Sequence, residues 1–136
     1  MSPYQVTRDF ENALCEYTGA KYAVAVNSVT AAILLALRWH RLQMGDPSFV
    51  RLPSHTYVSV PQAAIHAGFE VSFEDFAWSG EYRIWPTKVW DSARRFTSGM
   101  YRPGQFQCVS FAAAKILGAE QGGAILHDNE NADAWF

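Results

Sequence analysis

Tyr22-Ala23-Val24-Ala25-Val26-Asn27-Ser28-Val29-Thr30-Ala31-Ala32-Ile33-Leu34-Leu35-Ala36-Leu37 is the stretch that decides how this chain folds. Tyr22 to Val26 is a short unbroken apolar run, the pattern of a buried strand. Asn27-Ser28-Val29-Thr30 turns the chain, and from Ala31 to Leu42 alanine and leucine dominate, as in a helix. A strand that turns directly into a helix is the repeating unit of a sheet covered by helices.

The same alternation continues on both sides. Upstream, Ser2-Pro3 offers a hydroxyl cap followed by a proline where no amide donor is needed. Val6, Phe10, Ala13, Leu14 and Tyr17 then recur near helical period until Gly19. Downstream, Met44-Gly45-Asp46-Pro47 is a turn before a strand at Phe49 to Leu52. Pro53 to Tyr57 is a loop, Val60 to Ala67 a short helix closed by Gly68, and Val71 to Phe73 a strand. This order predicts an α/β domain with a mostly parallel sheet flanked by helices. Asp75 to Thr87 has no clear period. Strands resume at Lys88-Val89-Trp90, at Phe106 to Phe111 and at Gly123 to His127, and a last helix begins at Asn129. No repeat, low-complexity segment or linker interrupts residues 1–136, which read as a single domain.

Composition narrows the function. Hydrophobic residues make up 49% of the 136 and charged residues 18%, the balance of a folded globular chain. A net charge of −2 gives no electrostatic drive toward nucleic acid or a membrane surface. The longest apolar run, Ala31 to Leu37, is far short of a membrane span. The N-terminus lacks the basic-then-apolar order of a secretory signal, which gives a soluble cytoplasmic protein as the expectation. Cys15 and Cys108 have no second Cys or His at metal-ligand spacing and read as reduced core thiols. An aromatic share of 15%, with five Trp, suggests surface that packs on another subunit or a ligand.

In a parallel sheet, ligands gather at the carboxyl ends of the strands. Asn27-Ser28, Pro53-Ser54 and Asp91 all fall there. The amides of Asn27-Ser28-Val29-Thr30 open a helix and suit a phosphate, although alone the same residues are also a plain cap. Asp91, after Val89-Trp90, can pair with a pyridinium nitrogen; alone it is equally a turn or helix-capping aspartate. Tyr57 can stack on a flat ring, or simply be core or interface. His40, His55 and His66 show no ligand spacing and read as surface or satisfied histidines. Lys115 alone is a solvated surface lysine, but it follows Ser110-Phe111-Ala112-Ala113-Ala114 and precedes Ile116-Leu117, an apolar setting that favours the neutral amine. Gly118, Gly122 and Gly123 let backbone pass close to a ligand. Lysine, hydroxyl and strand-end acid in this order are the parts of a pyridoxal phosphate site, where the amine holds the aldehyde as a Schiff base.

With these pieces in order, the chain resembles the DegT/StrS family of pyridoxal-phosphate aminotransferases, fold type I enzymes that aminate keto-sugars on nucleotide carriers. Phe10-Glu11 and Tyr17 through Ser28 are similar to the family's opening helix and strand, and Thr30-Ala31-Ala32 to its phosphate-binding helix. Gly45-Asp46, Pro53 through Val58, and Ala67 through Asp75 follow its next strands and ring-stacking loop. Asp91-Ser92-Ala93, Ser110-Phe111 with Lys115, and Gly122-Gly123-Ala124-Ile125 complete the match. The resemblance implies that Lys115 forms the internal aldimine and shuttles the proton. It implies that Asp91 holds the pyridinium and Tyr57 stacks on the ring. Thr30, the amide of Val29 and Ser110 would bind the phosphate. It also implies a keto-sugar substrate, an amino-acid donor such as glutamate, and a homodimer or larger homo-oligomer.

The chain departs from the family's pattern in four places. Val29 stands where a glycine is usual. Arg94 replaces a glutamine near the cofactor's phenolic oxygen, a cation that could pair with the phenolate. The fifteen residues between Asp75 and Asp91 stand where dozens are normal. A small domain after Phe136 is expected to be absent. Two further readings follow from these departures: a binding or structural module that keeps the fold without turnover, and one piece of a split aminotransferase.

Overall fold

The computed structural model describes residues 4–45, 48–111 and 121–136. Helix α1 (Gln5–Thr18) ends where Gly19 takes a left-handed φ of 86° and its amide donates to the Cys15 carbonyl. Glycine pays no Cβ penalty in that conformation, which is why the helix stops there. Strand β1 (Tyr22–Val26) then leads through Asn27 and Ser28 into α2 (Val29–Gln43), as the opening stretch predicts. β2 (Phe49–Pro53), α3 (Ser59–His66) and β3 (Glu70–Glu74) follow in strand–helix–strand order. The segment without a period holds a two-residue strand, β4 (Tyr82–Arg83), before β5 (Val89–Asp91). β6 (Phe106–Ser110), β7 (Gly123–His127) and the short α4 (Glu130–Trp135) complete the described elements. The proposed Ser2-Pro3 cap falls outside the described residues.

Five strands form one sheet in the order β1-β7-β6-β5-β4, and β2 and β3 form a parallel pair. β5 and β6 are parallel, whereas β1·β7, β6·β7 and β4·β5 are antiparallel. The α/β architecture is therefore the expected one, and within it the sheet is mixed. An isolated bridge joins the two sheets: the Arg51 amide donates to the Trp85 carbonyl at 2.8 Å. β4 and its turn thus occupy the space between β5 and β2.

Strand alternation divides the core into two layers. Val89, Phe106, Cys108 and Ile125 face α2 and α3 together with Ile33, Leu37, Val50 and Leu52. Ala23, Val109, Ala124 and Leu126 face the opposite way, onto Leu14 of α1 and Met100. Every residue of β6 and β7 is buried, because both faces of these central strands are covered. Cys15 and Cys108 are free thiols, and burial raises the pKa of both, so neither is primed as a nucleophile. No helix among the described residues is long and apolar enough to cross a membrane.

Candidate active site

β5 and β6 run parallel, so their carboxyl ends open on one side of the sheet. Asp91 ends β5 and Ser110 ends β6. Counting by two from Val89 and Phe106 puts both on the α2 side of the sheet. The start of α2 descends onto this face at Gly123. A methyl group there would lie 2.7 Å from the Ser28 carbonyl carbon, 2.7 Å from the Val29 nitrogen and 2.8 Å from the Val109 carbonyl oxygen. Gly123 therefore makes room for the helix backbone, not for a ligand as its sequence setting suggests. Its neighbour Gly122, with φ at 121°, lines the cavity beside it.

That cavity is about 380 Å³. At one end it meets Asn27, Ser28 and Val29 at the α2 N-terminus. Ser28 is extended, and its hydroxyl oxygen accepts from the Ala31 amide at 3.1 Å, a true N-cap. The amides of the first turn have no acceptor within the helix, and the dipole of this 15-residue helix adds positive potential there. An anionic group is favoured at this end. Val29 fits as the first helical residue; among the described residues none but glycine has a positive φ.

Ser110, opposite Gly123 in the β6·β7 register, lines the cavity beside the α2 start, and Asp91 lines it from the end of β5. Asp91 is 6% exposed, and its Oδ1 accepts from the Ala93 amide at 3.1 Å. This closes a turn, and no helix starts there. Tyr57, 71% exposed, stands at the rim with Ser59 and Val60 behind it. A second cavity of about 350 Å³ adjoins the first, sharing Tyr57, Asp91 and Ala93 and adding Arg94, His55 and Trp78.

The structure thus brings Val29, Tyr57, Asp91 and Ser110 around one cavity and puts Arg94 on its extension. Thr30 sits differently: its hydroxyl donates to Ser59 Oγ at 2.9 Å, tying α2 to α3, and Ser59 is the member of that pair that lines the cavity. Lys115 and Gly118 lie outside the described residues.

Behind Asp91, on the far face of the sheet, Glu81 gathers a polar cluster. Its carboxylate accepts from both terminal guanidinium nitrogens of Arg102 at 3.0 and 3.1 Å, from Arg95 at 2.8 Å and from the Ser92 hydroxyl at 3.0 Å. Burial pushes the Glu81 carboxyl up. The hydrogen bonds from Arg102 and Ser92 and the two cationic charges outweigh that, leaving its pKa below the usual value. The cluster clamps β4 against the turn that follows Asp91. Sequence reasoning did not single out Glu81, Ser59, Trp78 or Gln121, which lines the cavity. The one available signal, a buried-type acid in the aperiodic segment with arginines at 95 and 102, has no fixed spacing to recognise.

A strand-end carboxylate that shares a partly apolar cavity with a helix N-terminus defines a class of α/β domain. Such an arrangement suits a ligand that carries both a basic nitrogen and an anionic group. The chain belongs to the DegT/DnrJ/EryC1/StrS aminotransferase family, whose family model matches residues 1–100. It is 39% identical over 67 residues to the UDP-4-amino-4,6-dideoxy-N-acetyl-beta-L-altrosamine transaminase of Campylobacter jejuni, 49% of this chain and 17% of that enzyme. It is 40% identical over 68 residues to the spore coat polysaccharide biosynthesis protein SpsC of Bacillus subtilis, 50% of this chain and 17% of that protein. The solved structure of a DegT DnrJ EryC1 StrS aminotransferase from Brucella abortus shares the fold, with a TM-score of 0.70 at 18% identity over 98% of this chain and 48% of the other. The chain spans about half the length of that structure. Pyridoxal phosphate is the cofactor of this family.

Proposed function

We propose that this chain is the cofactor-binding domain of a pyridoxal-phosphate sugar aminotransferase, moving an amino group from an amino-acid donor to a nucleotide-linked keto-sugar. The observation that carries the reading is the buried carboxylate of Asp91 lining the same cavity as the α2 N-terminus. The residues fit the group. The helix end suits a phosphate, Val29, Val60 and Ala93 give apolar walls for a ring, and Asp91 suits a protonated ring nitrogen.

Bound there, pyridoxal phosphate supplies the electron sink that amino transfer requires. The chain's own residues do the rest. The amides of Val29 and Thr30, with the Ser110 hydroxyl, hold the phosphate. Asp91 keeps the ring nitrogen protonated, and Tyr57 covers one ring face. Lys115 supplies the amine that carries the aldehyde and moves the proton. Arg94, on the adjoining cavity, offers a cation to the ring's phenolic oxygen or to an acidic substrate group. The 136 residues act as one cofactor-binding unit, and we propose a homodimer in the cytoplasm as the working state.

The test is a visible absorption band in the purified protein with added pyridoxal phosphate, followed by borohydride reduction and peptide mapping. The adduct is expected on Lys115, with the band lost in Lys115→Ala and weakened in Asp91→Asn. An amino donor is expected to change the band in the unreduced protein. No adduct with excess cofactor refutes the reading, and an adduct with a band indifferent to every amino donor refutes the transamination.

A further inference from the structure

We infer that Tyr82, held by Thr56, is a positioning residue that aims the Asp91 carboxylate into the cavity. The inference rests on the cofactor reading above and adds a residue from the aperiodic segment to it. Tyr82 is the partner of Asp91 in the antiparallel β4·β5 register. Directly opposed residues project from the same face of a sheet with their Cβ atoms side by side. Tyr82 is 3% exposed, and Trp78 packs edge-on against its ring at 4.9 Å between centroids.

Its hydroxyl is 2.6 Å from the Thr56 hydroxyl, in the loop that carries Tyr57. Two hydroxyls and one carboxylate have a single consistent order. A carboxylate only accepts, so with the phenol hydrogen-bonded to Asp91 it donates there and accepts from Thr56. Burial first, and then the charge and hydrogen bonding of Asp91, raise the pKa of the Tyr82 phenol far above its ordinary value. The phenol is a permanent donor.

The strand that presents it is fixed independently. Residue alternation turns Glu81 to the opposite face, where Ser92, Arg95, Arg102 and Gln107 hold it. Two consecutive residues thus grip the two residues of the Asp91-Ser92 turn from both faces of the sheet. A two-residue strand is enough to orient a carboxylate when its first side chain, Tyr82, and the Glu81 that precedes it are both anchored.

A space-filling role for Tyr82 and a positioning role differ in what they do to two ligands. Pyridoxal phosphate has the ring nitrogen that Asp91 addresses; its 1-deaza analogue, with carbon in that place, does not. Binding of each to the purified full chain is followed by tryptophan fluorescence, since Trp78 lines the adjoining cavity. The wild type should prefer pyridoxal phosphate, and Asp91→Asn sets the scale for losing that preference. Tyr82→Phe should cut the preference about tenfold, the effect of losing one hydrogen bond to a charged group, and leave analogue affinity within about twofold. Thr56→Val should shift it in the same direction by about threefold.

Equal weakening of both ligands, or an unchanged preference in either folded variant, overturns the inference. If Tyr82→Phe does not fold, Thr56→Val decides alone. A wild type that binds neither ligand, or both alike, overturns the cofactor reading itself. That outcome is separable from a wild type that discriminates and variants that still do.

Discussion

Gly123→Ala is the sharpest perturbation the structure offers, since one methyl group meets backbone on three sides. Ordinary contact for a Cβ begins near 3.4 Å, and this one would lie 2.7 Å from two backbone atoms of residues 28 and 29. The start of α2 must withdraw by about 0.7 Å, the difference between those two distances, or β7 must yield by as much. Neither is a flexible side-chain end. Overpacking of this kind costs about 1–3 kcal/mol, and with Val109 closing the third side the upper part of that range applies. For a domain of this size about 3 kcal/mol lowers Tm by roughly 10 °C. Thermal unfolding by circular dichroism measures the shift, with Gly45→Ala as control because its added Cβ meets nothing within 4 Å. The second readout is cofactor affinity, which should fall because the amides aimed at the phosphate move with the helix. A Tm within about 2 °C of wild type, or unchanged affinity, refutes the claim that Gly123 seats the helix.

Glu81→Ala should destabilise by about 1–3 kcal/mol in urea unfolding. The lower part of that range is expected because the side chains of Arg95 and Arg102 are 40% and 39% exposed and can return to water. His127 gives a pH dependence. Its Nδ1 accepts from the Asn129 amide, so Nε2 carries the proton and faces Asp133 Oδ1 at 3.1 Å. Burial lowers its pKa, and the opposing pull of Asp133 does not restore it. The unfolded chain therefore takes up a proton as pH falls through about 6.5, before the folded one does, and stability drops below that pH. Urea midpoints at pH 7.5 and 5.5 should converge in His127→Gln relative to wild type, and an equal drop in both proteins refutes the assignment.

Much of the architecture was legible because burial writes itself locally. Tyr22 to Val26 and Gly123 to His127 are apolar runs between turn residues, and they are strands. Gly19 and Gly68 ended helices as read. Pairing was not legible: nothing in an apolar run such as Gly123 to His127 says which neighbour it takes or in which direction. β4 was invisible for a related reason. Two residues carry no period, and Tyr82-Arg83 becomes a strand only through its partners at 91 and 90, with the preceding Glu81 held by 92, 95, 102 and 107. In the site, Asp91 and Ser110 were legible as strand ends. The Thr30 hydroxyl donates to Ser59, a partner 29 residues away that no local pattern announces. Gly123 reads in sequence as a place for a ligand to approach, whereas the object that approaches it is the start of α2.

The β2·β3 pair also bears on how copies of this chain meet one another. Among the described residues β3 has no neighbour beyond β2, so its outer edge offers unpaired backbone groups to any strand of matching length. Phe73 is exposed on it, which adds an apolar lure. Glu70 and Glu74 stand at its two ends. An antiparallel copy would set Glu70 against Glu74, and a parallel copy would set each glutamate against itself. Either register brings like charges together at both ends of a five-residue ladder. The charge at its two ends disfavours pairing of this edge with its own kind.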